Sequence, residues 1–375
     1  MAMAYRPRYR ITQVVLRAAE QLSAARAIVE LLPLPLAQVR RLRRRTLIRV
    51  AHNSTWIENR ALALEEAAAA IESRTAHDST RADAAIEVRN YFDALQLIDE
   101  NLDAAPDEAW MRQLHACIMR GGSVGRPPKR SEYRQRTVQV GNFAYIAPEA
   151  SDVPGLMAEL AQWATTAIDE LPDYLFAAIL AYQFVTIHPF DDGNGRTCRA
   201  LATWVLRRRY DPKGLLNVEE LYVRDLHGYY RSLQMGLHPI YYEANDKGSR
   251  SDPDLTEWVD YFCARLEEAA GQMHREIEDS FRARHPELLD DPLVELPDNL
   301  RRFVAGLDPL DQRFAAADVR ARFSVSDRSA RAWLKRWRDA DFVEPARAGA
   351  KRVREFRLTD HWLARLGDSG SPPDE

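Results

Sequence analysis

Apolar residues recur at three-to-four spacing along most of this 375-residue chain, a rhythm that predicts a mainly α protein. In "PDYLFAAILAYQFVTI", residues 172–187, Leu175, Ile179, Tyr182 and Ile187 mark such a helix, and Pro189 stops it. The first 120 residues read as helices broken at Pro33 and Pro35, at "SRTAHDST" and near Pro106. The Ala, Leu and Glu content of "STWIENRALALEEAAAAI" predicts one helix over about 54–72, capped by Ser54 or Asn53. "SDVPGLMAEL" opens another with Ser151 or Asp152 as cap, and a long helix follows the polar break "NDKGSRSDPD".

The rhythm changes in two places. Val138 and Val140 alternate with polar residues around Gly141 and Asn142, which predicts a short β-hairpin. Near the C-terminus, "FAAADVRARFSVSDRSARAWLKRWRDADFVEPA" reads as helix, turn, helix, with Ser326 or Asp327 capping the second. Two short strands around a Gly-containing wing come next, so the segment resembles a winged helix. These changes divide the chain into an N-terminal helical region (1–105), a core with trailing helices (106–285), a small winged-helix-like domain (286–366) and a disordered tail (367–375). No internal repeat is evident.

Charge sharpens this division. The net charge of -4 makes no general claim on nucleic acid or membrane, yet residues 301–365 hold sixteen Arg and Lys against nine Asp and Glu. Arg328, Arg331 and Lys335 are spaced to share one face of the second helix, where a DNA reader would carry them. Cys117, Cys198 and Cys263 are far apart and lack metal-ligand spacing, which points to a reducing compartment without structural zinc. No run of about eighteen apolar residues and no signal-peptide core occurs, so no membrane partner and a cytoplasmic location are expected.

The candidate chemistry is concentrated in "HPFDDGNGRTCR", residues 188–199. The residue before a proline is pushed from the α region, so His188 is expected to leave its helix in an extended conformation, ring free. Nearby carbonyl dipoles are expected to favour its protonated form. "DDGNG" then turns into a second helix, whose first amides converge on an anion. Arg196 and Arg199, three apart, would clamp further oxygens, and Asp192 is the acid placed to hold a divalent cation. Singly, a His-Pro helix end or a Gly-x-Gly loop is most often structural. In this order they fit the handling of a nucleotide phosphate beside a hydroxyl, and the Walker, kinase and dinucleotide-binding patterns are missing.

The stretch resembles the full signature of the Fic (filamentation induced by cAMP) family, His-Pro-Phe-x-Asp/Glu-Gly-Asn-Gly-Arg-x-x-Arg, with no departure at a fixed position. The resemblance implies a Fic-type helical core with a short β-hairpin flap, and transfer of AMP from ATP, with Mg²⁺ or Mn²⁺, to a protein hydroxyl. His188 would then be the base, and Phe190 would anchor the loop. Asp192 would hold the metal, Gly193, Asn194 and Gly195 would cradle the α and β phosphates, and Arg196 and Arg199 would bind the outer ones. Family members that transfer phosphate carry Lys where this chain has Gly195. Ser54, Glu58 and Asn59 match the family's inhibitory Ser/Thr-x-x-x-Glu-Gly/Asn pattern, which implies that Glu58 pairs with Arg199 and leaves ATP in a non-productive pose. Val138, Gln139, Val140 and Gly141 resemble the flap that receives the target as an added strand. Tyr222 and Tyr229, in "EELYVRDLHGYYRSLQ", would neighbour adenine unless they are core residues.

The partners so implied are a target protein bearing a Ser, Thr or Tyr hydroxyl, the chain itself as acceptor or in a homodimer, and DNA at the winged helix. Two other functions stay open at this stage. The core could serve a DNA-binding regulator as a nucleotide sensor, or Glu58 could position a water that removes AMP from a modified target.

Overall fold

A computed structural model describes residues 5–31, 35–58, 62–73, 79–121, 131–140, 145–234, 253–282, 296–304, 306–307, 312–347 and 353–367. The fold is mainly α and divides into two compact units, residues 1–278 and 279–375. The first unit contains α1 (Gln13–Leu31), α2 (Leu36–Trp56), α3 (Leu64–Ser73), α4 (Ser79–Glu100) and α5 (Glu108–Ile118). The hairpin β1 (Gln139–Val140) and β2 (Tyr145–Ile146) follows. Then come α6 (Val153–Glu170), α7 (Asp173–Ile187), α8 (Asn194–Arg209), α9 (Glu219–Arg224), α10 (Leu226–Gln234) and α11 (Thr256–Arg282), whose last residues, from Asp279, fall in the second unit. No described helix is long and apolar enough to cross a membrane.

Helix α7 is the centre of this unit. The sequence predicts one apolar face, but every residue except Val185 is buried, because α6 and α8 pack along it and Trp258 of α11 donates to the Ala178 carbonyl at 2.8 Å. Helix α8 packs in turn on α2, α4 and α5, and buries Trp204 fully. Asp99 of α4 binds both Arg43 of α2 and Arg207 of α8. Arg49 of α2 pairs with Glu220 of α9 and, at 3.0 Å, with Glu276 of α11. These pairs tie α2 to α4, α9 and α11, and α4 to the end of α8.

The single helix expected over 54–72 is two helices. Helix α2 ends at Trp56, Ile57 and Glu58 form a turn, and α3 starts at Leu64. Local contacts outweigh propensity here. Tyr230 donates to the Ile57 carbonyl at 2.9 Å, His52 Nε2 lies 2.8 Å from the Leu62 carbonyl, and the Glu66 carboxylate accepts from the Ala63 amide at 2.9 Å. Ser54 therefore lies at the end of a helix and caps no start. Asp152 does precede α6, but without a side-chain capping bond, and Pro154 occupies the first turn instead.

The second unit packs α12 (Asp298–Val304), α13 (Ala316–Phe323), α14 (Asp327–Asp339) and α15 (Asp360–Gly367) with the antiparallel pair β3 (Val343–Pro345) and β4 (Phe356–Leu358). Leu300, Phe303, Phe314, Val319, Leu334, Trp337 and Leu358 form its core. Ser324, at φ 52°, ends α13, and Ser326 caps α14 by accepting from the Ser329 amide. A bridge between Phe314 and Phe356 joins the segment before α13 to the hairpin.

The central position of α7 makes its core side chains sensitive to truncation. Phe176→Ala, at a side chain that is fully buried and stacked on Trp163, should lower the stability of the first unit by about 3–5 kcal/mol in urea titration.

Candidate active site

Six residues, 188–193, join the end of α7 to the start of α8. His188 is not extended as expected: its φ of 51° and ψ of 58° are left-handed. Its amide still bonds to the Phe184 carbonyl at 3.2 Å, so the residue closes the helix as a left-handed cap and also avoids the region forbidden before proline. That conformation costs a non-glycine residue about 1–2 kcal/mol. Surrounding contacts hold it.

The ring is oriented too. Nδ1 faces the Val185 carbonyl at 3.2 Å, and a carbonyl only accepts, so Nδ1 carries the hydrogen and Nε2 keeps its lone pair. Burial lowers the imidazole pKa to about 4, against smaller opposing effects of the Val185 carbonyl and Glu58. The protonated ring expected from helix dipoles is thus corrected to a neutral one, because desolvation dominates.

Asn194 closes the turn with its side chain: Oδ1 accepts from the Phe190 amide at 3.0 Å, and Nδ2 donates to the Phe190 carbonyl at 2.8 Å. Phe190 is buried, its ring stacked 3.6 Å from His115. His115 also reaches the Asp192 carbonyl at 2.9 Å and the Ser131 hydroxyl at 2.8 Å. Gly193 has φ 77°, and a Cβ there would strike Met119 and crowd the His115 ring, so both backbone and space require glycine. Past this turn the first amides of α8, at Asn194, Gly195 and Arg196, have no intrahelical acceptor, an arrangement able to receive an anion.

Both motif arginines are buried, each held by an acid from an N-terminal segment. Arg196 lies 3.2 Å from Glu87 of α4 and 3.2 Å from Asp192. Arg199 donates from Nη2 to Glu58 at 2.8 Å and to the Ser54 carbonyl at 2.8 Å, from Nε to the Ser54 hydroxyl at 2.9 Å, and from Nη1 to Tyr229 at 3.3 Å. A Cβ on Gly195 would run into the Glu58 carboxylate, so that carboxylate sits over the start of α8. Asn59 lies outside the described residues.

Asp192 Oδ1 accepts from the Gly193 amide at 2.7 Å and from Arg196. Among the described residues no three His, Cys, Asp or Glu side chains gather as a metal cluster. Mg²⁺ carried on phosphates needs only one or two carboxylates besides water, and the partly exposed Asp192 fits that donor set.

In the hairpin Gln139 pairs with Ile146 and Val140 with Tyr145, and the Ala147 amide donates to the Val138 carbonyl at 3.1 Å. Gly141 lies outside the described residues. A cleft of about 440 Å³ is lined by Glu132, Tyr133, Gln135, Arg136, Asp191 and Asp192 among others. Tyr222 and Tyr229 are buried and stacked at 4.4 Å, as core side chains, and Tyr229 meets the site through Arg199. Arg328, Arg331 and Lys335 belong to the second unit, exposed on α14.

Sequence reasoning missed His115, Glu87 and Arg134. His115 left one signal, a polar ring within the apolar "WMRQLHACIM".

His188 at one helix end and the first amides and two buried arginines of the next helix are thus brought together by a mainly α fold. Residues 105–206 match the Fic/DOC family model. It is 31% identical over 181 residues to protein adenylyltransferase Fic of Drosophila erecta, covering 47% of this chain and 35% of that relative. It is 28% identical over 200 residues to the protein of the same name from Culex quinquefasciatus, covering 53% and 39%. The matches thus span little more than a third of these relatives' length. A Fic family protein from Desulfovibrio desulfuricans has the same fold, with a TM-score of 0.58 at 23% identity over 95% of this chain and 99% of that one.

The burial of His188 sets a pH test. Its imidazole should titrate by NMR near pH 4 and not near 6.5, so the ring stays neutral across pH 5–8. Since the folded pKa lies below the unfolded one, acidification from about 6.5 to 4 should weaken the fold.

Proposed function

We propose that this chain is a protein adenylyltransferase that moves AMP from ATP to a hydroxyl of a target protein and is held off by Glu58. The observation that carries the proposal is the convergence, on one six-residue turn, of a neutral imidazole with Nε2 available, unspent helix amides and the Arg199 guanidinium. Relatives named as adenylyltransferases support the same reading.

His188 Nε2 takes the proton of the target hydroxyl as its oxygen attacks the α phosphorus of ATP. An O–P bond forms, the bond to the bridging oxygen of the β phosphate breaks, and pyrophosphate leaves. Proton removal of this kind contributes about 10² to 10⁴ in rate. The α8 amides and Arg199 face the charge on the phosphate oxygens, at the start of a helix whose dipole adds to them. Asp192 would hold Mg²⁺, which neutralises phosphate charge when bound. Asn194 and Phe190 keep the turn closed while this happens.

Glu58 opposes ATP on two counts. Its carboxylate occupies the space over Gly195, where an anion would lie, and it engages Arg199. Phosphate and carboxylate compete for one guanidinium.

The second unit supports a proposal of its own, a winged helix for duplex DNA. Arg328, Arg331 and Lys335 are exposed on α14, while Ala330, Leu334 and Trp337 bury the opposite face. A reading helix is built this way. All three cysteines are free and buried, which accords with the reducing cytoplasm as the place of action.

Label transfer from α-labelled ATP with Mg²⁺ tests the main proposal. Glu58→Gly should label itself or a target at least tenfold more than wild type, and adding His188→Ala should abolish the signal. No label in any variant, with ATP still bound, would overturn it. For the second unit, affinity for duplex DNA should fall with salt, and Arg331→Ala with Lys335→Ala should flatten that dependence by about two phosphate contacts. Salt-independent binding, or none, would leave α14 without this role.

A further inference from the structure

Arg134 is a buried guanidinium that the sequence motif does not include, and it is 1% exposed. Its backbone amide donates to the Pro189 carbonyl at 2.9 Å. From the side chain, Nε donates to the His188 carbonyl at 2.8 Å, and Nη2 to those of Ile187 at 3.4 Å and Pro148 at 2.5 Å. Nη1 donates to the Arg136 carbonyl at 2.9 Å. Ile187, His188 and Pro189 are the end of α7 and the start of the motif turn. Arg136 precedes β1 and Pro148 follows β2, so both arms of the hairpin are tied to that turn by one side chain.

We infer that Arg134 is a positioning residue that sets the His188 base in register with the flap, so that a segment docked on the hairpin delivers its hydroxyl to Nε2. The inference rests on the adenylyl-transfer reading for its purpose, though not for its geometry. The last carbonyls of a helix lack intrahelical donors and carry partial negative charge, which suits a cation. The left-handed His188 turns its carbonyl toward the guanidinium, which helps to keep that costly backbone conformation in place. The contacts need a rigid planar fork with several donors. Lysine, a point charge on a flexible stem, would reach one or two of these carbonyls. Displacement of a reacting group by about 1 Å costs roughly 10² in rate, and two separately tethered elements would drift by such amounts. Among the described residues Glu58, Arg134 and Asp192 act electrostatically on the His188 ring, and Arg134 lowers its proton affinity.

The test compares Arg134→Lys and Arg134→Gln in the full chain carrying Glu58→Gly. Positioning predicts that both lower kcat for AMP transfer by about 10², with ATP affinity by calorimetry changed less than about threefold. In Arg134→Gln the His188 NMR titration should move upward, and the Ala147 amide, bonded across the flap, should exchange faster in both variants. Unchanged kcat and unchanged exchange would overturn the inference. So would a joint fall of stability, ATP affinity and kcat that Arg134→Lys restores, since that marks a merely structural guanidinium. If no variant transfers label, the functional reading fails, while the His188 titration and the flap exchange still decide whether Arg134 couples the two elements.

Discussion

Two helix ends meet across six residues, and the rest of the site follows from satisfying them. Helix α7 ends in carbonyls without donors, and α8 begins with amides without acceptors. The first set is met by Arg134, which spreads its donors over Ile187 and His188. The second set faces the Glu58 carboxylate over Gly195. Between them, the two bonds from Asn194 to Phe190 and the ring stack on His115 close the turn. Loss of that closure would separate His188 from the first amides of α8. One strained residue and one positive-φ glycine are the backbone cost of bringing opposite dipole ends so close.

Burial of Arg199 governs which partners it can have. A guanidinium taken out of water needs a charged or hydrogen-bonding partner for each donor, and removing one partner is more costly than exchanging it. Ser54 supplies an oxygen from its side chain and another from its backbone, while Glu58 supplies the negative charge. A phosphate could take the place of Glu58 without disturbing Ser54. Exchange of one anion for another, with the arginine solvated by protein throughout, is a smaller step than exposing a bare charge.

The signature was legible because its chemistry is local. Gly193, Asn194 and Gly195 need only the turn they form, and Glu58 was placed against Arg199 by a resemblance that the 2.8 Å contact fits. What escaped depends on distant contacts. His188 has a left-handed backbone where its proline neighbour suggested an extended one, because Phe184 and Arg134 hold it. Its neutral ring reflects burial by elements far apart in sequence. The helix over 54–72 breaks at Ile57 because Tyr230, about 170 residues later, takes that carbonyl. Arg134 left no trace, since the carbonyls of Ile187, His188, Arg136 and Pro148 that it binds are backbone groups and any residue type could supply one.

That break bears on how the acid could be released. The ion pairs of Arg43 and Arg49 fix α2 to α4, α9 and α11, so moving α2 as a body would forfeit several contacts together. Glu58 lies just beyond the last helical residue, in the turn, with its side chain about one-third exposed. A change confined to the turn would withdraw the carboxylate and leave Ser54 in place on Arg199. If Glu58 had continued the helix, as its sequence suggests, its release would have required unwinding or moving that helix. The chain therefore separates two contacts within five residues: Ser54 on the fixed helix orients the arginine, and Glu58 on the turn supplies its negative partner, which under the proposed inhibition is the one to be exchanged.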